Sequence, residues 1–175
     1  MAGIGHIAVG LACARAYSED RTLRLKPALV FSALALWPDA DALGFLLGVG
    51  YGESMGHRGA THSLAVGLFV VLGAYIFAQR RGLPPLRTAG YVAIATLSHC
   101  LLDTVTYGGG LGCALLWPLS DARFWSPVRF IPISPIGVAI LSARGFKVMA
   151  AEVGIFLPLW LYALWPRRRR APAAP

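Results

Sequence analysis

Apolar residues along this chain fall into five runs separated by short polar or basic connections, near residues 3–17, 27–49, 61–79, 88–107 and 148–165. A membrane-crossing helix needs about 20 mainly apolar residues. The third run is the clearest, with no charged residue between Arg58 and Arg80, and the first is short for a full crossing. The pattern predicts an all-α, multi-pass membrane bundle of about five short helices. Basic residues cluster in the first connection (Arg15, Arg21, Arg24, Lys26), in the second (Arg80, Arg81, Arg87) and in the tail (Arg167 to Arg170). With five alternating crossings all three clusters share one side, which the excess of positive charge marks as cytoplasmic. The N-terminus, the loop at 50–60 and the segment 108–147 then lie at the opposite face of a cell inner membrane.

The segment 108–147 mixes Trp117, Phe124, Trp125 and Phe130 with Pro118, Pro127, Pro132 and Pro135. Such aromatics favour the headgroup zone, and frequent proline opposes a long helix. An irregular interfacial cap over the helix ends is expected. Residues 1–14 read as a retained helix and not a cleaved signal, because the first basic residue, Arg15, follows the apolar run. No internal repeat is visible. One domain over 1–166 is expected, with 167–175 a disordered basic tail that touches anionic lipid.

Composition agrees with a lipid setting. Hydrophobic residues make up 57% of the 175 and charged residues only 14%, against about 25% charged in soluble domains. The net charge of +8 could suit nucleic acid, but its placement between apolar runs argues for membrane lipid as the partner. Cys13, Cys100 and Cys113 lie in apolar stretches without CxxC spacing, so they read as small buried side chains.

The candidate chemistry lies in groups that an apolar segment should not contain. An ionisable side chain there costs about 2.5–3.5 kcal/mol on insertion scales. His6, Asp39, Asp41, His57, His62, His99, Asp103 and Glu152 form such a set, and it holds every histidine of the chain. In the five-crossing topology all of them fall at one depth. His99 and Asp103 are at i and i+4 and face one way on a helix. Asp39 and Asp41, at i and i+2, diverge on a regular helix unless Pro38 breaks it and turns both inward. His57 belongs to the loop, and His62 to the start of the third helix.

Imidazoles and carboxylates together are zinc ligands, and a catalytic site keeps one position open for water. The reading is a divalent metal, zinc above others, with His6, Asp41, His57, His62, His99 and Asp103 as candidate ligands. Asp39, Arg58 and Glu152 are candidate catalytic groups: a carboxylate to orient a ligand or take a proton, and a guanidinium to pair with a phosphate oxygen. Thr61 and Ser63 suit supporting hydrogen bonds. Glu152 suits an interfacial pair with Lys147 or Arg144 equally well, and Arg58 suits a plain loop cation equally well.

The runs Pro38-Asp39-Ala40-Asp41, His57-Arg58-Gly59-Ala60-Thr61-His62-Ser63 and His99-Cys100-Leu101-Leu102-Asp103, followed by Leu116-Trp117-Pro118, resemble the YdjM-like family of inner-membrane metal-dependent hydrolases. An early histidine such as His6 fits the same pattern. The resemblance runs from His6 to about Ser120. It implies a ligand set distantly similar to that of zinc-dependent phospholipase C. By motif His99 and Asp103 match best, then His6, Asp41 and His57 or His62. Ala42 and Leu43 stand where family members often carry a further histidine, so the resemblance implies one or two metal ions and not three.

The leading functional expectation is a membrane-embedded metal-dependent hydrolase acting on a phosphoester of a lipid or of a small membrane-proximal molecule. Two alternatives stand beside it. An ion- or proton-coupled transporter would spread titratable groups along a whole crossing. A non-catalytic membrane protein with a structural metal would close the coordination shell.

Overall fold

Small residues let the first two helices meet backbone to backbone. The computed structural model describes Met1 and residues 3–166, and in it α1 spans Ile4–Tyr17 and α2 spans Leu25–Leu36. A Cβ on Gly10 would lie 2.6 Å from the Cα of Ser32 and 2.7 Å from the carbonyl oxygen of Phe31, so any side chain would force α1 and α2 apart. Ala8, Val9, Cys13 and Ala14 pack with Phe31 and Ala35, joined by Val92 and Ala95 of α4, which spans Pro85–Thr104. Helix α3, Leu64–Arg80, lies along α4, and α6, Leu157–Leu164, packs on α1. Arg15 is buried in this packing. It donates to the carbonyls of Tyr162 and Ala163 at the end of α6, where a cation complements the unpaired carbonyls of a helix C-terminus.

Two breaks shape the remainder. Pro38 follows Trp37 immediately after α2. Its missing N–H and its ring oppose a continuing α-helix, and the chain winds on as a tighter 3-10 helix, Trp37–Leu47. The run expected as one helix over 148–165 divides into α5, Ala143–Ile155, and α6, with a bend of 68° between them and Pro158 in the first turn of α6. Ser142 caps α5, its hydroxyl accepting from the Gly145 amide at 3.2 Å. Ser63 caps α3 in the same way from the Val66 amide at 3.1 Å. Between α4 and α5 the chain is irregular apart from a two-residue parallel pair, β1 (Thr106–Tyr107) with β2 (Ile131–Pro132), and a 3-10 turn at Gly137–Leu141.

The polarity of the molecule is inverted relative to a water-soluble domain. His6, His62, His99, Asp103 and Glu152 are wholly buried, whereas Phe69, Leu46, Leu47 and Leu86 are at least three-quarters exposed. Exposed apolar area of this extent marks an interaction surface, and a lipid environment accounts for it.

The structure keeps the all-α class but corrects the number of crossings. Among the described residues one helical stretch, Leu25–Leu47 with 23 residues, is long and apolar enough to cross a membrane. The bent pair α5 and α6 adds a second only if counted as one span. The expected multi-pass bundle of five crossings does not hold. Its alternating topology, with a cytoplasmic C-terminus and a site at the opposite face, goes with it. The cause is length and polarity. Helix α1 has 14 residues and reaches only about 21 Å at about 1.5 Å per residue, short of a hydrocarbon core of about 30 Å. Helix α3 has 17. Helix α4 has 20, but Arg87, Thr96, Ser98, His99 and Asp103 make it too polar. The basic tail at 167–175 lies outside the described residues.

The close approach of α1 and α2 gives a direct test. Gly10→Leu should cost roughly 1–3 kcal/mol and lower the thermal midpoint of the protein in detergent. Gly73→Ala on α3, where a Cβ meets nothing within 4 Å, should be neutral or slightly stabilising. Equal midpoints for Gly10→Leu and the unsubstituted protein would refute the backbone contact.

Candidate metal centre

The Pro38 break sets Asp39 and Asp41 on two sides of one ring. Asp41 is the acceptor that organises the loop before α3. Its Oδ1 lies 2.7 Å from His57 Nδ1, and its Oδ2 accepts from the Thr61 hydroxyl at 2.6 Å and the Arg58 amide at 3.1 Å. The same oxygen lies 3.0 Å from His62 Nδ1. The Thr61 hydroxyl gives its proton to Asp41, so its oxygen accepts from His62 Nδ1 at 3.1 Å, and Nε2 turns the other way, toward Asp39. His99 is set similarly: its Nδ1 lies 2.7 Å from the carbonyl of Ala35 on α2, which leaves Nε2 as a lone pair. Such outer hydrogen bonds fix the tautomer of a ligand imidazole.

Four atoms consequently converge with no fixed donor among them. His62 Nε2 is 3.1 Å from His99 Nε2 and 3.7 Å from both Asp39 Oδ1 and Asp103 Oδ2. His99 Nε2 is 3.4 Å from Asp39 Oδ1, and all four atoms lie within 4.8 Å of one another. Ligands about 2.0–2.1 Å from a tetrahedral zinc stand about 3.3–3.4 Å apart. Two imidazole lone pairs and two carboxylate oxygens at such separations repel one another unless a positive charge lies between them. The residues therefore fit a divalent cation, and this is a cluster capable of coordinating one. Protonation is the other remedy, and the structure shows its pull: burial works against a charged His62, but contacts with Asp39 and Asp41 outweigh it and raise its pKa to about 9.

Asp103 is also tied on its other side. Arg58 Nε lies 3.0 Å from Oδ2 and the Met1 amino group 2.8 Å from Oδ1. Arg58 itself is almost wholly buried. Its Nη1 donates to the Leu111 carbonyl at 3.2 Å, and its guanidinium lies over Trp125 at 5.3 Å. Its backbone adopts φ 64°, a left-handed conformation that costs a non-glycine residue about 1–2 kcal/mol. Bonds from its amide to Asp41 and from the Ala114 amide to its carbonyl hold it there.

The other expected site residues fall around this cluster. His6 stacks on His99 at 3.7 Å between ring centroids, with Nε2 3.5 Å from Asp103 Oδ1. Burial and the neighbouring His99 lower its pKa to about 3, so it stays neutral. Asp39, Asp41 and His57 form a second group of potential ligands, although His57 and Asp41 are already bonded to each other. All four imidazoles thus form one chain of rings, His6 to His99 to His62 to His57, with steps of 3.7, 4.9 and 5.6 Å. Glu152 is wholly buried on α5 and accepts from the Gly5 amide at 3.0 Å, so it holds the first turn of α1, next to His6. A cavity of about 150 Å3 reaches the cluster, lined by Asp39, His57, Arg58, Tyr51 and Ser134 among others. Tyr51 was not expected there. It lies between two loop glycines with no periodicity to expose its role, and only its closeness to His57 in sequence hinted at it.

Asp41 is the member whose loss should be felt in stability. Asp41→Ala strands the donors of His57, Arg58 and Thr61, each worth about 1–3 kcal/mol when buried and unmet. Unfolding by denaturant should show a loss of roughly 3 kcal/mol or more. A loss below about 1 kcal/mol would remove Asp41 from the centre of the loop.

Comparisons with known proteins show the family of the chain. The inner membrane protein YbcI of Escherichia coli (strain K12) is 42% identical over 155 residues, covering 83% of this chain and 87% of that protein. No solved structure matches the chain. The family of the YdjM inner membrane protein matches residues 1–171. Its description and the apolar stretch Leu25–Leu47 agree on a membrane-associated protein. The chain belongs to the YdjM inner membrane protein family.

Proposed function

We propose that this protein is a metal-dependent hydrolase of phosphoesters, acting on a lipid or a membrane-proximal small molecule. The observation that carries the reading is the convergence of four lone-pair atoms beside an open cavity. Asp39, His62, His99 and Asp103 are the proposed holders of one ion, with zinc the best match to two imidazoles and two carboxylates. A bound divalent cation would supply a Lewis acid and an ionised water at neutral pH. A second ion at Asp39, Asp41 and His57 would have to displace the 2.7 Å bond between His57 and Asp41, so one ion is favoured.

The remaining residues divide the other tasks. Asp41 orients His57 through Nδ1, which leaves Nε2 for the cavity as a group that takes a proton from water or returns it to the leaving oxygen. Arg58 faces the same cavity with a fixed charge and steadies the negative charge that develops on a phosphoryl group. Glu152 positions α1, and through it His6 against His99. The Asp39 side chain is 28% exposed whereas those of His62, His99 and Asp103 are at most 1% exposed. That opening on one side supports a catalytic over a closed structural site.

Elemental analysis of the protein purified in detergent should find about one zinc-class ion per chain. His99→Ala and Asp39→Asn should each lower it to under a tenth and abolish hydrolysis in a screen of phosphodiesters, phosphomonoesters and phospholipids. Arg58→Lys should keep the metal but slow turnover by about 10²-fold or more. Unchanged metal content and unchanged hydrolysis in His99→Ala would end this reading.

A further inference from the structure

Resting on the phosphoester reading, we propose that the Tyr51 hydroxyl and the Arg58 guanidinium form the corner of the cavity that grips a phosphoryl oxygen, making Tyr51 a substrate-binding residue. The Tyr51 hydroxyl is buried and has no hydrogen-bond partner among the described residues. Its O–H proton therefore has no acceptor among them. A buried polar group left unmet is destabilising, a cost removed when a ligand brings the acceptor.

The ring is held in place and is not a loose filler. Phe45 stacks near it at 6.1 Å, and His57 meets it edge-on at 5.3 Å and 87°. Its hydroxyl packs closely on Gly110: a Cβ there would lie 3.0 Å from the Tyr51 oxygen and 2.9 Å from Ile133 Cδ1, so any side chain would push the phenol out of place. Gly110 also has φ 73°, a conformation that favours glycine.

Arg58 brings charge to the same cavity. Its Nε is engaged by Asp103 and its Nη1 by the Leu111 carbonyl, while a guanidinium has five N–H donors, so donors remain. Asp39 also faces the cavity and repels an anion. A ligand must therefore accept from both Tyr51 and Arg58 to be held, which a phosphoryl group with several acceptor oxygens does and a neutral carbonyl does not. Ile133, Pro135, Ile136 and Ile140 line the same cavity with apolar surface suited to the organic part of an ester.

Inorganic phosphate is the probe, titrated by calorimetry into the purified protein in detergent with metal content measured in parallel. Tyr51→Phe removes one oxygen and leaves the ring. It should weaken phosphate binding about tenfold or more at unchanged metal content and with a ligand-free melting temperature equal to or above that of the unsubstituted protein. Phosphate binding equal to that of the unsubstituted protein would overturn the proposal. So would an unsubstituted protein that takes up no phosphate, a result that leaves the hydrolase reading to its own metal and phosphodiester assays. If Tyr51→Phe fails to fold, near-ultraviolet difference absorbance of the unsubstituted protein decides. A phosphate-dependent shift of the tyrosine band is expected, and a flat difference spectrum overturns the proposal.

Discussion

The mutual repulsion of buried lone pairs is the constraint on which this fold turns. Asp39, Asp41 and Asp103 are packed among four imidazoles in a region nearly closed to water. Carboxylates removed from water persist only when charge and hydrogen bonds are returned to them. Arg58 and the Met1 amino group return part of it to Asp103, and Thr61, His57 and the Arg58 amide return it to Asp41. Asp39 receives least, and it is also the carboxylate nearest the cavity. The uncompensated side of the cluster and its accessible side coincide, which is where a cation and then a substrate would enter.

Local breaks in regular structure produce this arrangement. A regular helix through 27–49 would send Asp39 and Asp41 in nearly opposite directions. Past Pro38 the chain tightens, and the two carboxylates bracket His62, one at each ring nitrogen. The divergence that a spacing of two imposes is thus used and not cancelled. The same economy appears at Arg58, whose left-handed backbone places its amide on Asp41 and its side chain on Asp103.

Part of this was legible in the chain and part was not. Ionisable groups in apolar runs stand out, and His99 with Asp103 at one helical turn fixes a shared face, so the gathering of imidazoles could be read directly. The Pro38 break could be read too. The number of crossings could not. Alanine raises hydropathy whether it faces lipid or another helix, and Ala8 and Ala14, like Gly10, face helices. The bend before Pro158 likewise divides a run that looks continuous. Roles within the cluster were hidden because spacing says which residues meet but not which nitrogen of a ring each neighbour takes. Arg15 resembled a loop cation, yet its stem and head are buried against α6.

The parts of this centre are far apart along the chain: His6 stacks on His99, and the α1 end of the molecule meets Asp103 on α4. Loop closure over such lengths comes late in folding. During synthesis the first helix emerges with a polar ring that has no companion until α4 has followed it. Any ion uptake would therefore await the fourth helix, which brings His99 and Asp103, and a nascent chain halted before it would carry His6 without its stacking partner.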